Sequence, residues 1–187
     1  MMTQRPTIND ILVPFFNRYV SENSGVRRHR IVLSESQLRK ALETEGERVL
    51  LPAEQAILGA EREFGHIDTF ARVMHADDLI FALPLALHPT YLLPDPLDQR
   101  VQLEMYDRLT GNVIAARLIP PSGLECPLWD IRGAIDRAKW ELNRARRDQE
   151  FRRRTRLKVD SPLPPAPDRC EPDNRDSQHL KRKERPE

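Results

Sequence analysis

One short stretch holds the side chains best suited to bind a metal or move protons: Glu61, Glu63, His66, Asp68, His75, Asp77 and Asp78. Within it, His66, His75, Asp77 and Asp78 are the candidates for a catalytic role. Their spacing argues against one. Glu61 and Glu63 point in different directions on a helix, Asp68, Asp77 and Asp78 stand where helix caps are expected, and no HExxH pattern occurs. Nucleophile signatures are also missing. There is no G-x-S-x-G, no glycine-rich phosphate loop, and no histidine base adjacent to Cys126, and 7 glycines leave little material for backbone-lined anion sites. These absences point away from an enzyme, and neither a metal nor another cofactor is expected.

A second kind of chemistry lies near the C-terminal end. The run from Arg144 to Lys158 carries eight cations and two anions, a net charge of +6, while the preceding residues sum to −4 and those from Val159 to −1. Arg146, Arg147, Arg152, Arg153, Arg154 and Arg156 are therefore candidates for binding nucleic-acid phosphates. Two observations narrow that reading. Arginines outnumber lysines 25 to 5 throughout the chain, the bias of a GC-rich genome, and Phe151 is the lone aromatic platform in the run. The same cations could instead fold back on the acidic remainder.

Trp129 and Trp140 flank a seam of Leu128, Ile131, Ile135, Ala138, Leu142 and Ala145, whose three-four spacing is that of a helix packed on another helix. The seam and both tryptophans read as core, the favoured reading for a domain of this size, or as an interface with Trp129 and Trp140 as its candidate residues, and a homodimer through this last helix is one arrangement the pattern allows. Cys126 and Cys170 have no CxxC partner and read as unpaired thiols.

The elements that must position these groups follow from periodicity. Thr7 caps a helix running to about Glu22, with Pro14 expected to kink it or delay its start. A flexible basic turn from Ser24 to Arg30 follows, then a capping box at Ser34 and Gln37 opening a helix from Glu35 to about Glu45. Pro52 starts a helix whose apolar positions Ala53, Ala56, Ile57, Ala60 and Phe64 form one stripe, with Gly65 as its stop. Asp68 opens a short helix, and Asp77-Asp78 caps an apolar one beginning at Leu79 that Pro84 should end or bend.

From Val101 the apolar residues alternate, and Asp107 to Asn112 supplies turn residues, so a β-hairpin over about 101–119 is favoured. The competing reading is a helix capped by Asp95, with Leu97, Val101, Met105 and Leu109 on one face. A winged-helix arrangement fails because Asp78 to Leu87, in the reading position, is almost all apolar.

The expected fold class is α+β, predominantly α-helical, with five to six helices, one β-hairpin and a long C-terminal helix. The expected division is a compact domain over 1–145, a projecting arginine-rich helix end over 146–158, and a disordered tail over 159–187 rich in proline and charge. With 32% charged residues and no apolar stretch long enough for a bilayer, no membrane association is expected. The N-terminal residues lack a signal-peptide pattern, which leads to a cytoplasmic expectation. The favoured function is that of a non-enzymatic bacterial binding or accessory protein acting through protein–protein contacts. Nucleic-acid binding through the arginine-rich helix is the first alternative, and a small enzyme with a His/Asp site the second.

Overall fold

The computed structural model describes residues 5–119 and 125–159, with side chains as far as Arg153. The chain divides into two units, Met1–Asp148 and Gln149–Glu187. The described residues form seven α-helices, with two short 3-10 turns and no strand. Their extended pairing is limited to an isolated antiparallel bridge between Thr7 and His75, reinforced by an Ile8 N–H donating to the Met74 carbonyl at 2.8 Å.

Helix α1 (Ile8–Glu22) begins as the sequence predicts. Thr7 Oγ1 accepts from the Asp10 N–H at 3.2 Å, and the Asp10 carboxylate accepts from the Thr7 N–H at 2.9 Å. The Thr7 hydroxyl also donates to that carboxylate at 2.8 Å, and this bond first, then the one from the Thr7 N–H, holds the Asp10 pKa below its ordinary value. Pro14 lies within the helix on its exposed side, while Ile8, Ile11, Leu12, Phe15 and Phe16 are buried.

Helix α2 (Gly25–Glu45) overturns the expected turn and capping box. The basic segment is its first two turns, and Ser34 sits mid-helix with its hydroxyl donating to the Arg30 carbonyl at 2.8 Å. The cause is tertiary. Arg27 reaches Glu104 at 2.9 Å, Arg30 reaches Asp98 at 2.7 Å, and Ile31 is fully buried between these anchored turns and Ser34. Local sequence carries no trace of partners so far along the chain.

Helix α3 (Pro52–Arg62) starts at its proline, with the Leu51 N–H held by Glu54 at 2.8 Å. Helix α4 (Thr69–Val73) follows Asp68, which adopts a left-handed conformation at φ 58°, and helix α5 (Ala76–Ala86) carries Pro84 inside it. Gly46, in the 3-10 turn Gly46–Val49, lies so close to the Phe70 ring that a Cβ there would stand 2.5 Å from it.

Helix α6 (Pro96–Ala115) replaces the predicted β-hairpin, and the fold is all-α among the described residues rather than α+β. Asp95 Oδ1 caps it by accepting from the Leu97 and Asp98 N–H groups at 2.8 and 3.1 Å. The alternation of Val101, Leu103 and Met105 misled because this helix is buried over a wide arc. Gln102, Tyr106, Leu109, Thr110 and Val113 also lie inside, so apolar positions fall at two-residue as well as four-residue intervals. Gln102 makes the arc tolerable. It accepts from the Leu93 N–H at 2.8 Å and donates to the Tyr91 carbonyl at 2.9 Å and the Tyr106 hydroxyl at 3.0 Å.

Helix α7 (Glu125–Val159) sends Ile131, Ile135 and Ala138 into the core, with Leu128 and Ala134 packed at its edge. Beyond Asp148, in the second unit, residues 149–159 are helical, and Phe151 is 70% exposed. The predicted disordered tail and Cys170 lie outside the described residues.

Candidate interaction surfaces

The His/Asp candidates occupy two corners of the first unit. His66 is exposed in the turn after α3, where its carbonyl accepts from the Thr69 hydroxyl at 2.6 Å. His75 precedes α5; its backbone N–H donates to Asp78 Oδ2 at 2.8 Å, and its ring Nδ1 lies 3.4 Å from the Pro6 carbonyl. Asp77 faces Arg5 at 3.6 Å. Burial pushes the Asp78 pKa up, against the bond from His75. Among the described residues no three His, Cys, Asp or Glu side chains stand as a metal-binding group, and every buried side-chain polar atom has a hydrogen-bond partner.

The stripe on α3 is present as a stripe, but it faces outward. Ala53, Ala56, Ile57, Ala60 and Phe64 are all exposed, Ile57 at 53% and Phe64 at 72%. Leu51 and Ile67 at either end of the segment are exposed as well. The opposite side is pinned inward by polar groups. Gln55 donates to the Glu47 and Leu50 carbonyls, Leu58 is fully buried, and Arg62 reaches Glu43 at 3.1 Å and Glu47 at 2.7 Å. Positions 55, 58 and 62 make one face by three-four spacing, which the stronger apolar pattern concealed. Glu54, Glu61 and Glu63 border the outward stripe, giving it an acidic rim.

Trp129 and Trp140 are likewise outside the core, at 78% and 55% exposure. They stand on the side of α7 opposite Ile131, Ile135 and Ala138. Eleven residues is just over three whole turns, so the indoles share a face about 16 Å apart along the axis. The Arg144 guanidinium lies 5.4 Å from the centre of the Trp140 ring.

Of the candidate phosphate ligands, Arg146 and Arg147 are exposed in the first unit, and Arg152 and Arg153 are exposed in the second. Arg154 and Arg156 lie on α7 beyond the described side chains. Cys126 is an exposed free thiol.

A cleft of about 370 Å³ opens between the end of α5, the 3-10 turn Pro89–Tyr91 and α7. Its floor is already paired. Glu45 accepts from the Tyr91 hydroxyl at 3.0 Å and from Arg48 at 2.7 Å, and His88 meets the Thr90 hydroxyl at 3.0 Å. Burial first, and then the Glu45 contact, raise the Tyr91 pKa, so the phenol stays protonated.

Among the described residues no helix is long and apolar enough to cross a membrane. No protein-family model, curated protein or solved structure matches the chain.

Proposed function

We propose that this protein is a helical binding module that acts by holding a protein partner on the outward face of α3. The observation that supports this reading is the exposed row of Ala53, Ala56, Ile57, Ala60 and Phe64, which costs apolar hydration while its helix is pinned by polar contacts on the other side. Three alanines make the row shallow, and Ile57 and Phe64 stand above it as anchors. The acidic rim of Glu54, Glu61 and Glu63 selects the partner's chemistry: an amphipathic helix with apolar residues at three-four spacing and basic residues along its flanks.

Photo-cross-linking tests this. A photoreactive residue at Ile57 should form a nuclease-resistant protein adduct whose cross-linked peptide is apolar with lysine or arginine flanks. Phe64→Lys should abolish it, and the same label at Arg100 on α6 should not reproduce it. No adduct, or one that nuclease removes, overturns the reading, the latter in favour of nucleic acid.

A further inference from the structure

The outer face of α7 presents a pattern that matches itself when reversed. On the described face, Trp129, Gly133, Asp136, Trp140 and Arg144 follow one another at three- and four-residue steps, with Asp130, Arg132 and Arg137 along the edges. All are exposed except Gly133, which is half-buried. Asp136 and Arg132 stand one turn apart, yet no ion pair joins them, whereas Lys139 on the inner flank reaches Asp107 at 3.7 Å.

We infer that α7 pairs antiparallel with α7 of a second copy of this chain, each Trp129 stacking on Trp140 of the other. A twofold axis perpendicular to the helices sets the register at once: it must pass level with the midpoint of the two indoles, between Ala134 and Ile135. Gly133 then lies beside the crossing point, with the Arg137 guanidinium 3.5 Å from where a Cβ would stand. An antiparallel dyad brings like flanks together. Arg132 of each copy comes within one residue, about 1.5 Å of rise, of the level of Asp136 of the other, on the same flank. On the opposite flank Asp130 comes within two residues, about 3 Å of rise, of the level of Arg137 of the other copy. Each cross-pair occurs twice, and all four side chains involved carry the sign the register requires.

The area is sufficient. Four indoles of roughly 200 Å² each, exposed at 78% and 55%, supply about 530 Å², and the flanking Arg132, Asp136, Arg137 and Arg144 side chains of both copies bring the total to the lower end of specific interfaces, about 1,000 Å². A parallel pairing would set Asp136 beside Asp136 and leave each tryptophan opposite its own equivalent, without the charge exchange.

Sedimentation velocity on the full chain tests both contact and register. The wild type should dimerise in the micromolar range, and Trp129→Ala/Trp140→Ala should be monomeric with unchanged helicity. Arg132→Asp and Asp136→Arg each place like charges across the dyad and should weaken the dimer roughly tenfold or more. Their combination should restore affinity to near the wild-type value. A wild-type monomer throughout that range overturns the proposal, as does a dimer indifferent to loss of both tryptophans. A double variant as weak as either single one overturns the register. Ile57→Lys separates this surface from that on α3: it should leave the dimer intact, and a dimer lost through Ile57→Lys assigns self-association to α3 instead.

Discussion

Gln102 is wholly excluded from solvent; two of its hydrogen bonds tie α6 to the segment before it, and the third reaches the Tyr106 hydroxyl one turn on in α6. The Tyr106 hydroxyl extends the set to the Ser34 carbonyl of α2 at 3.2 Å, and burial holds that phenol's pKa far above its ordinary value. Removing the amide leaves the Leu93 N–H and the Tyr91 carbonyl unpaired in an apolar setting. Gln102→Leu is therefore expected to cost roughly 2–3 kcal/mol in urea denaturation, although it adds apolar surface to the core. Tyr106→Phe, which removes one hydroxyl, should cost about 1 kcal/mol. A Gln102→Leu variant as stable as the wild type would show that water replaces the amide.

At the scale of elements, the test is the orientation of α3. Leu58→Ala should cost about 2–5 kcal/mol, whereas Ile57→Lys, one residue away, should leave the unfolding midpoint nearly unchanged. Equal losses would mean that the stripe is packed. This helix also shows how far local sequence reaches. Its proline start and its periodicity were readable, because both depend on residues within a few positions. Which side faces inward depends on Glu43 of α2 and Glu47 of the 3-10 turn waiting for Arg62, and periodicity does not encode that. Helix α6 failed for a related reason: a helix buried over a wide arc loses the polar face by which it would be recognised, and its alternating residues then imitate a strand. The basic start of α2 looked like a loop because its anchors, Asp98 and Glu104, lie on α6. On α7 the three-four seam was legible, while the two tryptophans beside it were placed on the outer face only by the fold.

Across the whole molecule, stability should respond to pH through Asp78. Burial raises its pKa, with Asp77 and Glu54 acting in the same direction and the His75 N–H against it. The folded chain then keeps a proton that the unfolded chain gives up as pH rises through the ordinary carboxylate range. The contribution to stability is complete below that range and is lost as pH climbs to the raised pKa. Asp78→Asn retains an acceptor for the His75 N–H and does not ionise. Thermal midpoints of this variant should stay flat across the weakly acidic region where those of the wild type decline. Parallel profiles would exclude Asp78 as the group responsible.

The bridge between Thr7 and His75, with the His75 ring against a carbonyl 69 residues earlier, bears on the order of events during synthesis. Helix α1 is made before the other described elements, and its capping box lies within its own sequence. The backbone that closes its leading end, at Met74 and His75, leaves the ribosome only after α2, α3 and α4 have been translated. Throughout that interval the apolar side of α1, with Phe15 and Phe16, has only part of its cover. The nascent chain thus passes through a period of exposure to chaperones and to neighbouring chains that ends when the corner between α4 and α5 arrives.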